Sequence, residues 1–407
     1  MTSGTVTVDG VGSSANLGLV VGENGGTGTL TVSGGTLNVQ NWLLLGRNRV
    51  DSFGTLNLNG GLVNVGYLGG YTSGSGRGTL YLGNYSPGSI VNLNAGGTLA
   101  LNCVFGGSQG SFNFNGGTLL AQTNNTRFFS GNTLPFVVLN GGAVINDGGF
   151  AITITNALTS GASPDGGLTK HGSGTLTLSG ANTYNGTTTI SDGTLLVNGS
   201  VAGPVTVAGG ILGGSGEIGS AVTVQGGGQL APGANGIGTL TINSDLTLNA
   251  GSSVSVQVDQ TSATSDLVTG LNNVAYAGTL VVTNLTGTLT LGSQFTLFSA
   301  ATPSGNFSSI SGSPGAGLAW SFDPTNGVLS VITGTATNPT NITFSVSGNT
   351  LNLSWPADHL GWMVQSNSVN LVVPADWHDI SNTATATSYS TTIDTNKANV
   401  FYRLRKP

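Results

Sequence analysis

Apolar side chains recur at every second position in a series of short strings. GTVTVDG occupies 4–10, GTLTVSGG 28–35, GTLNLNGG 54–61, GTLYLG 78–83 and GSFNFNGG 110–117. Strand side chains point alternately to opposite faces, so this pattern predicts strands with one buried face. Stacking the strings on their glycines predicts one ladder of Val6, Leu30, Leu56, Leu80 and Phe112. A second ladder holds Val8, Val32, Leu58, Leu82 and Phe114, with Thr5, Thr29, Thr55, Thr79 and Ser111 facing away. The string starts lie 24, 26, 24 and 32 residues apart.

A second strand follows each glycine pair and predicts ladders of Leu37, Val63, Leu99, Leu119 and of Val39, Val65, Leu101, Ala121. A third strand, ending in glycine, places Val21, Leu45, Leu68 and Phe105 inward, preceded by Leu19, Leu43, Gly66 and Cys103. Cys103 is thereby expected to be a buried apolar thiol. Three short strands per repeat of about 24 residues predict a parallel β-solenoid of triangular section. Each rung advances by about 4.8 Å. A helical reading fails, because glycine and β-branched residues interrupt every window.

Composition supports this and removes alternatives. Glycine takes 69 of 407 positions and charged residues only 6%, against about 7% and about 25% in ordinary domains. Coiled coils, helical bundles and charge-rich disorder are excluded, and without a Gly-x-y triplet so is collagen. With 9 basic and 15 acidic residues there is no basic stripe for nucleic acid. No apolar run reaches the length of a transmembrane helix. The single cysteine permits no intrachain disulfide. The start, Met1-Thr2-Ser3 running into GTVTVDG, has no signal-peptide pattern; it reads as a piece of a longer chain that begins inside a repeat.

Residues 168–198 read LTKHGSGTLTLSGANTYNGTTTISDGTLLVN, and are followed by GGILGGSGEIG at 209–219 and GGGQLAPG at 226–233. This closely resembles the autotransporter-associated β-strand repeat of bacterial passenger domains. The resemblance, looser at 135–160 and near 330, covers most of 1–335. It implies a right-handed parallel β-helix outside the cell and no particular activity. Autotransporters end in a membrane β-barrel; this chain ends differently, at Pro407, and is expected not to export itself.

After TGTATNPT at 333–340, which reads as a linker, composition shifts. Trp355, Trp362 and Trp377 lie in the last 71 residues, with eight of the chain's 24 charged residues. Alternating runs at 342–347, 350–355, 360–366, 376–381, 387–393 and 399–405 predict a small antiparallel sandwich. NTLNLSWPA, Trp377 and VFYRLR resemble a shortened fibronectin type III module. Its expected core is Phe344, Leu351, Leu353, Trp355, Trp362, Val364, Trp377 and Tyr402. The domain reading is regular solenoid at 1–165, autotransporter-type repeat at 166–332, linker at 333–340 and sandwich at 341–407.

Candidate chemistry is sparse. Gly106-Gly107-Ser108-Gln109-Gly110 fits a nucleophile elbow, but a strand follows where a helix is required. Gly214-Ser215-Gly216-Glu217-Ile218-Gly219 fits a dinucleotide fingerprint, again without its helix. Asp192, Glu217 and Asp245 lie 25 and 28 residues apart and could stack on one corner, yet no basic residue lies between Lys170 and Lys397 to stabilise an anion. Asp376-Trp377-His378-Asp379 is the densest polar cluster and shows too few ligands for a metal. Surface positions suffice for His171 and His359. Tyr81, in line with Thr31, Asn57 and Asn113, and Tyr67, Tyr71 and Tyr85 in nearby turns, are the candidate glycan contacts.

The sequence therefore reads as an extracellular structural rod bearing a C-terminal module, without catalytic residues, cofactor or metal. The expected partners are a cell-surface or matrix glycan, or the chain itself stacked end to end. The alternative is a polysaccharide-binding or polysaccharide-degrading β-helix protein.

Overall fold

Short alternating strands with glycine at their ends cannot each bury an apolar face alone; they must stack. In a computed structural model they do so as a parallel β-solenoid closed by an antiparallel cap and followed by a small antiparallel module. The structure describes residues 1–8, 18–47, 49–66, 78–83, 88–106, 110–130, 134–233, 236–334, 336 and 339–406.

Two walls are joined at the corners of the long strands Thr27–Val39 and Phe53–Val65. The third wall stacks thirteen parallel strands from Leu19–Glu23 to Ser309–Ser311, with Thr264–Ser265 pairing antiparallel beside Ser253–Asp259. Twelve steps of about 4.8 Å give a shaft of roughly 58 Å. At the corners the glycine pairs are sterically required: Gly35 and Gly61 have φ of +71° and +75°, and a Cβ on Gly61 would collide with the Gly35 carbonyl.

The second-wall ladders form as the alternation predicts. Leu37 pairs with Val63, Val63 with Leu99, and Leu99 with Leu119. Register differs elsewhere. Val6 and Val8 sit on Leu37 and Val39, so they top the second wall rather than the first. Leu56 lies between Leu30 and Val91, and Phe112 between Val91 and Phe136. Leu80 is not above Leu56: it belongs to the third wall, between Leu43 and Val104.

The cause is rung length. From Leu43 to Leu80 the third wall takes 37 residues, whereas Leu195 to Leu212 takes 17. A glycine-led alternating string fits any wall, so aligning strings by their glycines misplaces those that follow an insertion. A separate one-residue shift turns Cys103 and Phe105 outward: Gly106 takes the inward position of Leu45 and Leu82, so Val104 is the residue stacked on Leu80. Gly66 follows a second-wall strand, and Leu68 lies outside the described residues.

One continuous apolar core runs from Val21 to Val331. Its far end is closed by strands Gln294–Thr296, Leu318–Asp323 and Val328–Thr333, an antiparallel sheet that the repeat pattern did not predict. Tyr276, Phe298, Phe307 and Phe322 fill the end, with ring centroids 5.0–6.1 Å apart.

The tail forms all six expected strands, in two three-stranded antiparallel sheets. Its core is Leu353, Trp355 and Val364, with Leu351, Tyr389, Tyr402 and Leu404 packed against it. Trp362 is buried against His359, and its Nε1 donates to the Ala336 carbonyl at 3.0 Å. Two expected core residues differ. Phe344 is 73% exposed because its strand lies at a sheet edge. Trp377 is half-buried, with the Arg403 guanidinium 4.2 Å above its ring. Among the described residues no helix is long and apolar enough to cross a membrane.

Candidate functional site

The outward face of the third wall carries a group of partly exposed aromatic side chains. Because Leu43, Leu80 and Val104 point inward, their neighbours Trp42, Leu44, Tyr81 and Phe105 point outward. Tyr81 pairs with Leu44 above and Phe105 below, with the two rings 5.6 Å apart. Trp42 lies one strand higher and two residues across, with the Arg47 guanidinium 5.7 Å from its ring. Phe105 is 37% exposed. Tyr81 thus stands in the third wall, not in line with Thr31, Asn57 and Asn113, which belong to the first. Tyr67, Tyr71 and Tyr85 lie outside the described residues, in the segments flanking the Tyr81 strand.

Cys103 lies on the same outer face, half-buried, 3.3 Å from the Thr79 hydroxyl. Burial pushes its thiol up, against the Thr79 hydrogen bond.

Asparagine ladders line the neighbouring walls. Asn92 Nδ2 donates to Asn57 at 2.8 Å, and Asn113 Nδ2 donates to Asn92 at 2.8 Å. Asn94 and Asn115 repeat this below Asn59 at 2.7 and 3.0 Å, and Asn64 donates to Asn38. Each amide has a donor and an acceptor, so identical residues one rung apart satisfy each other. The recurrent Asn in GTLNLNGG and GSFNFNGG carries this signal.

One buried ion pair anchors the passenger-like stretch. Lys170 Nζ lies 2.5 Å from Asp147 Oδ2, both side chains fully buried. The ammonium also donates to the carbonyls of Gly172 and Asp192 at 2.8 and 3.0 Å. Asp147 Oδ1 accepts the N–H groups of Gly149 and Gly174. This cluster ties three successive turns together. Its signal was a lysine at an inward position of LTKH.

Nearby, burial opposes ionisation of Asp165. The N–H groups of Asn185, Gly186 and Gly167 and the Ser160 hydroxyl nonetheless hold its carboxyl below the ordinary value. Asn182 occupies an inward position and satisfies Leu158 N–H and the carbonyls of Gly180 and Ser200. Tyr184, fully buried, shares a hydrogen bond with Thr188. Further on, burial raises Asp266 to about 6 despite N–H donors from Gln257 and Gly238.

The three acids proposed as a stack are not brought together. Asp192 faces His171 at 3.6 Å, Glu217 accepts from Asn243 Nδ2, and Asp245 accepts from Asn273 Nδ2 at 2.8 Å. Glu217 borders a cleft of about 450 Å³ lined otherwise by Ser, Gly, Ala and Thr. The Gly214–Gly219 fingerprint is strand and turn, and Ser108 lies outside the described residues. In the tail, Asp379 pairs with Arg405 at 2.7 Å and Asp376 accepts from Asn370, while His378 is exposed. His359 is not a surface residue: it is 4% exposed, with Nδ1 2.7 Å from Asp358. Among the described residues no three metal-ligating side chains cluster.

Residues 168–197 match the Passenger-associated-transport-repeat family. A 64-residue segment is 47% identical to the adhesin BmaC autotransporter of Brucella suis biovar 1 (strain 1330), covering 15% of this chain. The match spans about 2% of that relative's length.

Proposed function

We propose, from the passenger-type repeat at 168–197, that this chain is a non-enzymatic adhesion protein of the cell surface. Its solenoid is a stiff shaft, and the outward aromatic patch of Trp42, Tyr81 and Phe105 is its contact surface for glycan. The observation that carries the reading is the patch itself. Three partly exposed aromatic rings share one flat parallel-strand face, held in fixed positions by the inward Leu43, Leu80 and Val104. Aromatic rings bury large areas with little loss of side-chain freedom and suit the apolar faces of sugars. The Brucella relative is an adhesin by name, which supports adhesion, and the passenger match supports a surface location.

Among the described residues, the carboxylates that the enzymatic alternative would need are not assembled. The acids stand apart, each with its own polar partner. The aromatic cap also covers the core at the far end, which disfavours end-to-end stacking through that end.

Display of the chain on non-adherent bacterial cells tests this reading. Cells carrying it should bind glycan-coated surfaces, and Trp42→Ala with Tyr81→Ala should remove the binding while leaving the fold intact. Equal binding by the variant would place the contact elsewhere.

A further inference from the structure

The tail's first strand, Thr343–Ser347, is exposed along its whole length and pairs on one side only, with Thr350–Ser354. Opposite residues in an antiparallel pair share a face. Phe344 lies opposite the buried Leu353 and Val346 opposite Leu351, so both point to the core side of the sheet. They are nevertheless 73% and 55% exposed. Among the described residues, nothing covers the inner face beyond this last strand. Free edges normally carry a charge, proline or bulge against pairing; here no charged residue occurs from 341 to 357, and the pairing is regular.

The edge is complementary to itself. Ser347 and Thr350 flank a two-residue turn at Gly348, whose φ is +61°. Residues flanking such a turn form a hydrogen-bonded pair, and the pairs then alternate. Phe344 and Val346 therefore aim their N–H and C=O groups at the open side. An antiparallel second copy centred on Ser345 would place Phe344 opposite the copy's Val346, both ready to exchange hydrogen bonds. Ser345 would meet Ser345, and Thr343 would meet Ser347. Apolar groups face apolar groups on the inner side, and hydroxyls face hydroxyls on the outer.

We propose that two copies of this chain join through Thr343–Ser347 into one continuous six-stranded sheet with two-fold symmetry. The shared strand is short, so the dimer is weak and concentration-dependent, well below the area of an obligate interface.

The test uses the full chain with Cys103→Ser. Ser345 falls at a non-hydrogen-bonded pair, with Cα atoms about 4.5 Å apart, within disulfide reach. Under mild oxidation Ser345→Cys should form a covalent dimer at least tenfold faster than Thr343→Cys, whose partner in this register is Ser347. By sedimentation, the unaltered chain should dimerise with rising concentration, and Val346→Lys should keep it monomeric with an unchanged circular dichroism spectrum. Equal cross-linking rates for the two cysteine variants would overturn the register. A chain that stays monomeric at all concentrations, or dimerises equally with Val346→Lys, would overturn the dimer.

Discussion

Replacing Lys170 by Met isolates what the buried ion pair contributes. The thioether side chain fills most of the space of the lysine stem, so little cavity forms. What disappears is the ammonium, which meets Asp147 and the carbonyls of Gly172 and Asp192. Asp147 keeps its two N–H donors but becomes a fully buried carboxylate without a cation. Breaking such a pair costs about 3–5 kcal/mol. Arg49→Ala is the control: its pair with Asp51 is 62% and 52% exposed, and such pairs contribute about 0–1 kcal/mol. Urea denaturation followed by circular dichroism gives the two costs. Hydrogen exchange shows where they fall, with the loss of protection expected at 144–176 and in the turn near Asp192. Asp147→Ala combined with Lys170→Met should cost less than the sum of the single changes. If Lys170→Met costs no more than Arg49→Ala, the buried pair does not staple the turns.

Asn92→Ala removes both side-chain bonds of the central ladder residue and should destabilise by about 1–2 kcal/mol in the same denaturation assay. A change within error would mean that water replaces the ladder. Asp266 binds its proton more tightly folded than unfolded, since its folded value is about 6. Its contribution to stability therefore falls as pH rises from about 4 through about 6, and Asp266→Ala should remove that slope from denaturation measured across the interval. Cys103 should react slowly with a polar thiol reagent at neutral pH and faster as pH rises, because it is half-buried with a raised pKa. Immediate labelling at neutral pH would contradict its placement beside Thr79.

Architecture was legible because period-two alternation and recurrent glycine leave few ways to bury the apolar face. The second-wall ladder from Leu37 to Leu119 could be read directly. Register was not legible across the lengthened rung, which moves Leu80 to the third wall, nor at Cys103, where the guiding glycine, Gly106, stands at an inward position and shifts the faces by one residue. The antiparallel cap at 318–333 shows the same alternation as the rungs, and only the closing of the core end distinguishes it. At the candidate site, Tyr81 points outward as the alternation predicts, but in the third wall rather than the first. Its companions Phe105 and Trp42 were missed because one had been turned inward by the register slip and the other carries no repeat signal.

The adhesion reading stands or falls on the purified chain applied to a glycan microarray, with the retained sugars analysed afterwards for cleavage. The account predicts that the chain binds a defined set of glycans, leaves them intact, and loses them when Trp42, Tyr81 and Phe105 are replaced together by alanine. Cleaved glycan, or binding unchanged in the triple variant, would contradict it.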